Sequence, residues 1–296
     1  MAMSIRYRMV NPPYGGVWKG DVMNAQTIEA EPAARRIAEQ HKPRGPIGVI
    51  RRYPIISFVV LACFFGWLRY ITAYFGLGSN PENNPLGPLA AALVVTACQG
   101  RAELRAWGRR LRNWRAAPKW YLLAILAPVV VHIVNVLVNH LLGAPLLTSA
   151  QLAGWPEVLP SFLVLVVLIG VGEEAGWMAF AAPILLRRHG FLAAWALAAA
   201  MRILWHLPLM ITGDLPWVVG IVGNAAFTMV MLRVLVASGG RWTLAAVWHA
   251  GLNAVGSGFF FLMVTGEDKA RLGYLLAAAY TVIATVVYFA GRRSVT

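Results

Sequence analysis

The sequence predicts an all-α polytopic membrane protein of about eight transmembrane helices, with a glutamate/histidine site inside the helix bundle. Three observations predict it. Of the 296 residues, 59% are hydrophobic and only 13% charged, against roughly 25% charged residues in soluble domains. Apolar stretches near the length of about 20 residues that a bilayer span needs recur along the chain. Basic residues gather in alternate connections between those stretches, as they do where one set of loops stays in the cytosol.

Residues 1–52 read as a cytosolic, largely disordered tail. Pro12, Pro13, Gly15, Gly16, Pro32, Pro43 and Pro46 interrupt them, leaving a short helix near 28–41 at most. No apolar run of signal-peptide length occurs there, so the chain is expected to keep its amino terminus. Residues 53–291 form the transmembrane domain, with spans expected at 55–75, 86–99, 120–142, 158–186, 191–211, 216–237, 243–264 and 272–290. Residues 292–296 are a cytosolic C-terminal tail.

Loop charge tests that division independently. Residues 76–85, 143–156 and 212–215 contain no Lys or Arg, whereas 101–119 contain seven, 187–190 contain Arg187 and Arg188, and 238–242 contain Arg241. Lys269 and Arg271, offset by Glu267 and Asp268, are the basic residues on the expected outer side. Nine basic residues precede the first span, and Arg292 and Arg293 follow the last, so both termini are expected in the cytosol. The Arg-over-Lys and Ala bias suggests a GC-rich bacterium, hence a multi-pass protein of its cytoplasmic membrane.

Net charge is +14, yet its distribution at span ends points to membrane orientation and lipid contact; no nucleic-acid partner is expected. Cys63 and Cys98 both fall in apolar segments, so neither a disulfide framework nor a cysteine metal site is supported. Between 101 and 119, Leu104, Trp107, Leu111 and Trp114 recur at three- and four-residue spacing among arginines. This predicts a helix on the inner membrane surface, chiefly a topology anchor.

Glu173 and Glu174 lie inside an apolar span, where a charge costs on the order of 2.5–3.5 kcal/mol and usually marks a function or a buried pair. His206 and His249 lie in two other spans, with Asn253 one turn after His249. At about 1.5 Å per residue these groups sit roughly 12–22 Å from the cytosolic ends of their helices, so they can share a level in one cytosol-facing cavity. A glutamate in a dry cavity is a competent base for activating water. The histidines could polarise a carbonyl, and Asn253 could stabilise an oxyanion. Glu173, His206 and His249 equally suit zinc with an open position for water, so either zinc or no cofactor is compatible with the residues. His132 and His140 have no acidic partner in their span and read as hydrogen-bonded core residues.

The run Glu173-Glu174-Ala175-Gly176-Trp177, then Leu204-Trp205-His206-Leu207-Pro208, then His249-Ala250-Gly251-Leu252-Asn253, resembles the CPBP family of intramembrane proteases, which includes the type II CAAX prenyl endopeptidases. The resemblance covers about 160–255. It implies that Glu173 activates the attacking water, Glu174 supports it, and His206, His249 and Asn253 complete the catalytic cavity. Members are called metalloproteases, although a metal-free glutamate mechanism is also argued for them. The pattern departs at Met178, where the family has an arginine, and Arg202, one turn before His206, is the candidate replacement. The leading reading is therefore an intramembrane endopeptidase acting on a membrane-associated protein or peptide. A catalytically inactive relative serving as an immunity or scaffold protein is the alternative, and a proton-coupled transporter a weaker one.

Overall fold

A computed structural model describes residues 45–78 and 82–293. Among the described residues every regular element is helical. The order is α1 (Gly45–Arg52), α2 (Pro54–Gly66), α3 (Leu68–Tyr74), α4 (Gly87–Gln99), α5 (Arg101–Leu111) and α6 (Pro118–Leu141). There follow α7, a long run over Ser149–Arg188, then α8 (Phe191–Trp205), α9 (Leu207–Thr212), α10 (Val219–Ala237), α11 (Trp242–Val255) and α12 (Gly266–Arg293). The expected helix at 28–41 lies outside the described residues, and α1 occupies the end of the region assigned to the tail.

Local chemistry explains many of the boundaries. Proline, which has no N–H to leave unpaired, occupies the first turn of α2, α4, α6 and α9. At the start of α7, Thr148 and Gln151 satisfy each other reciprocally: Gln151 N–H donates to Thr148 Oγ1 at 3.2 Å and Thr148 N–H to Gln151 Oε1 at 2.9 Å. Gly100, at φ 114°, turns the chain sharply between α4 and α5.

Among the described residues five helices are long and apolar enough to cross a membrane, or six if α1 and α2, bent by 112°, are taken as one span. α4 and α8 are apolar but shorter. Each of the eight expected apolar segments holds a helix, but the expected count of eight spans is not reached, because α2 stops at Gly66, α4 has 13 residues and α8 stops at Trp205. At the first stop, a Cβ on Gly87 would lie 2.7 Å from Gly66 N and 2.9 Å from Ala62 O, so α2 and α4 cross at backbone contact.

The expected basic helix also ends early, at Leu111 rather than near Lys119. Residues 112–117 form a loop because the chain must turn into α6 at Pro118, so Trp114 leaves the face shared by Leu104, Trp107 and Leu111. That face is docked on protein: Trp107 is 4% exposed and its indole N–H donates to Ala175 O at 3.2 Å.

Hydrogen bonds join the loops into two sets at opposite ends of the bundle. At one end Arg241 Nε donates to Arg115 O at 2.7 Å, Trp242 Nε1 to Leu111 O at 3.2 Å, and Arg51 Nε to Cys98 O at 2.7 Å. At the other, Asn139 Nδ2 donates to Asp268 O at 3.0 Å and Gln151 Nε2 to Met263 O at 3.2 Å. The arginine-rich connections share the first end.

Candidate active site

The glutamate pair lies in a five-residue α segment, Gly172–Gly176, set between two π-helical stretches, Val166–Val171 and Trp177–Ala181. Such wide turns inside a helix often accompany functional sites, because they rotate side chains out of the regular phase. Small residues let this stretch sink between its neighbours. A Cβ on Gly170 would lie 2.9 Å from Ala246 O, one on Gly172 2.7 Å from Pro85 O, and one on Gly176 2.5 Å from Pro88 O. α7 therefore meets α11 on one side and the start of α4 on the other with no room for a side chain.

Two α5 groups support the same stretch. Trp107 donates to Ala175 O, and Arg110 Nε donates to Ala179 O at 2.8 Å. These carbonyls sit where the helical ladder changes register, so an outside donor helps satisfy them.

Arg202, on α8 and only 1% exposed, holds the pair from across the bundle. Its Nη2 donates to both oxygens of Glu174, at 2.8 and 2.9 Å, and its Nη1 stands 3.6 Å from Glu173 Oε2. His249 Nδ1 lies 2.8 Å from Glu174 Oε1. The guanidinium is flanked by Trp177 and Phe227, with ring centroids 5.6 and 5.4 Å away, and Phe227 also packs on His249 at 5.0 Å. The motif position Met178 is buried among apolar residues.

The two carboxylates differ sharply. Glu174 is fully engaged by Arg202 and His249. Glu173 Oε2 accepts no well-formed hydrogen bond and Arg202 Nη1 donates none, the two meeting only as an ion pair at 3.6 Å; His249 and Trp177 are further polar neighbours of Glu173.

His206 sits at the break between α8 and α9, where Pro208 forces a new helix to start. Its Nδ1 bonds Arg202 O at 2.8 Å, and Asn253 Nδ2 donates to His249 O at 3.1 Å. In each histidine the bonded nitrogen is Nδ1, which leaves Nε2 for a ligand. His132 Nδ1 bonds Pro128 O at 2.8 Å, and His140 Nδ1 bonds Ala144 O at 2.8 Å.

A cavity of about 730 Å³ reaches this cluster. His206, His249 and Asn253 line it, together with Phe227 and Tyr280, and it extends to Asp214, Ser257 and Lys269. Glu173, Glu174 and Arg202 do not line it; the histidines and Phe227 stand between them and the opening. The expected sharing of one cavity thus covers three of the four groups, with Glu173 one layer behind.

Donor atoms of Glu173, Glu174 and His249 all lie within 4.8 Å of one another. The zinc set anticipated from the sequence, Glu173, His206 and His249, is not the set that converges: Glu174 is in it and His206 outside. A cation there would compete with Arg202 for both Glu174 oxygens and sit against the guanidinium, so these residues fit a bound metal poorly.

Trp107, Arg110, Trp177 and Phe227 went unnoticed in the sequence as parts of the site. Trp107 and Arg110 had a visible amphipathic signal, whereas nothing in a single sequence distinguishes Phe227 from any other apolar residue of a span.

Residues 155–255 match the family described as Rce1-like, type II CAAX prenyl endopeptidase. That segment, about a third of the chain, carries both glutamates, Arg202, His206, His249 and Asn253, and over that length the chain is similar to the endopeptidase family that the motifs resemble. No curated protein matches the chain.

Proposed function

We propose that this multi-pass membrane protein is an intramembrane endopeptidase in which Glu173 is the base and Glu174 the positioning carboxylate. The observation that carries the reading is the unequal engagement of the pair: Glu174 is saturated by Arg202 and His249, while Glu173 Oε2 and Arg202 Nη1, 3.6 Å apart, each lack a hydrogen-bond partner. The carboxylate oxygen left unengaged is the one free to take a proton from water. Arg202 performs the orienting task that Met178 cannot, so the departure from the family motif does not remove the charge the pair needs.

In this reading a water held by Glu173 and Arg202 meets a peptide carbonyl at the histidine-lined end of the cavity. Glu173 removes one proton as the water oxygen bonds to the carbonyl carbon. The carbonyl oxygen takes up the negative charge, stabilised by the free Nε2 side of His206 or His249 and by Asn253 Nδ2. Collapse of the tetrahedral intermediate breaks the C–N bond, and the proton held on Glu173 passes to the departing nitrogen. The products are one carboxylate end and one amine end, with one water consumed. The substrate is a membrane-associated peptide or protein segment, and the enzyme sits in a bacterial cytoplasmic membrane with both termini inside.

The test compares peptide termini in membranes containing the wild-type protein with those containing Glu173→Gln. New termini that depend on Glu173 support the reading. Identical termini, with both proteins folded and inserted, would refute it and favour a binding role.

A further inference from the structure

The end of α5 gathers more positive charge than its place in the fold requires. Residues 101–119 hold seven Lys and Arg against one acidic residue, Glu103. Ala106, Arg109, Arg110 and Asn113 follow one another at three- and four-residue spacing, so they share a face, and with Arg112 they line a shallow surface pocket. Burial holds the Arg110 guanidinium below its ordinary value, and the charges of Arg187, in the last turn of α7, and of Arg109 act in the same direction, opposed by Glu103.

Four guanidinium groups thus come together, and among the described residues none has a carboxylate within ion-pair distance. The dipole at the C-terminal end of α5 offsets only about half of one positive charge. Like charges held side by side repel unless an anion joins them.

One of the four is built into the protein. Arg110 Nε donates to Ala179 O at 2.8 Å, which fixes the guanidinium plane and leaves its two terminal nitrogens for a ligand. The pocket also sits at the level of lipid headgroups. The adjoining Trp114 is 54% exposed with Arg115 5.6 Å from its ring, and tryptophan gathers at the membrane interface.

We propose that this pocket binds the phosphate of an anionic glycerophospholipid, with Arg109, Arg110 and Arg112 as its donors, and that the bound headgroup steadies the glutamate-bearing stretch of α7. Guanidinium forks match phosphate oxygens in pairs, and basic pockets at the cytoplasmic face suit anionic headgroups. A zwitterionic headgroup brings its own ammonium to the arginines and binds less well. The coupling runs through two bonds already in place: Arg110 holds Ala179 O and Trp107 holds Ala175 O, both in the backbone that follows Glu173 and Glu174. Clamping the end of α5 therefore holds that backbone. The inference goes beyond the protease reading and does not depend on it.

The test uses the full chain in a neutral detergent, titrated separately with dioctanoyl phosphatidylglycerol, dioctanoyl phosphatidylcholine and inorganic phosphate. Melting temperature is the first readout. Phosphatidylglycerol is expected to raise it saturably, and the other two at equal concentration to leave it unchanged. Arg109→Gln with Arg112→Gln should weaken the effect by about tenfold or more. Arg52→Gln with Arg101→Gln, which removes two exposed charges from the same end of the bundle, should leave it intact. An equal rise with inorganic phosphate would mean a free-anion site and overturn the lipid assignment. No rise with phosphatidylglycerol, or equal weakening in both double variants, would overturn the pocket itself. The second readout is the methyl carbon-13 NMR signals of Ala175 and Ala179, assigned by Ala→Gly substitution. They should shift with phosphatidylglycerol in the wild-type protein and not in the Arg109/Arg112 variant; saturable binding that leaves both signals in place would overturn the coupling. Neither readout uses cleavage, so failure here and failure of the protease assay are separate results.

Discussion

Arg202 and Glu174 form the central contact of the molecule: one guanidinium nitrogen donates to both carboxylate oxygens, at 2.8 and 2.9 Å, with both side chains essentially unexposed. Two like charges on adjacent residues repel each other, and the pair persists in a dry interior only because a cation compensates it. The division of roles between Glu173 and Glu174 follows from which of them that cation grips.

Glu173→Gln and Glu174→Gln are therefore expected to fail differently. Glu173→Gln removes the base and lowers cleavage by about 10²–10⁴-fold, with little loss of stability because Oε2 has no good partner to lose. Glu174→Gln weakens the ion pair and the His249 contact, costing up to about 3–5 kcal/mol. Thermal unfolding in detergent and a peptide-cleavage assay separate the two. Equal loss of stability in both variants would remove the proposed distinction.

How much of this was legible in the sequence depends on periodicity. Apolar length revealed the helical segments, and the cost of burying charge singled out Glu173, Glu174 and Arg202. The contacts among them were not derivable, because helix phase counted at 3.6 residues per turn is lost across Val166–Val171 and Trp177–Ala181, where the turns widen. Depth counting brought four groups to one level but could not show that His249 and Phe227 stand in front of Glu173. The early end of α5 was written in Pro118, which starts a new helix, but the Trp114 periodicity outweighed it.

Close approach of backbones around the site predicts a sharp contrast between two glycines. Gly176→Ala places a methyl 2.5 Å from Pro88 O, a backbone atom that cannot swing away, and is expected to cost about 1–3 kcal/mol and to reduce activity by shifting the glutamate stretch. Gly108→Ala, on α5 with nothing within 4 Å of the new methyl, is expected to be neutral or to stabilise by about 0.4–1 kcal/mol. Melting temperatures of the two variants check this, and equal effects would contradict the packing described.

Chelation offers a further check. Arg202 occupies the space a cation would need beside Glu174, so treatment with a strong chelator followed by dialysis should leave cleavage unchanged. Loss of activity restored by zinc would show that the cluster rearranges around a metal.

The final prediction concerns Met178 and Arg202 together. If Arg202 stands in for the family's motif arginine, Arg202→Met should leave Glu173 and Glu174 without their cation and destabilise the protein by about 3–5 kcal/mol. Met178→Arg alone should also destabilise it, because Met178 is 1% exposed and its site already faces a cluster with one guanidinium. Combined, the two changes exchange one arginine for another at nearly constant volume and charge. The double variant is then more stable and more active than Arg202→Met alone, a coupling of about 0.5–3 kcal/mol in a double-mutant cycle. Unfolding curves for the four proteins measure that coupling directly. Strict additivity would mean that an arginine at 178 cannot reach the pair in this chain, and that Arg202 is an independent structural ion pair rather than a replacement.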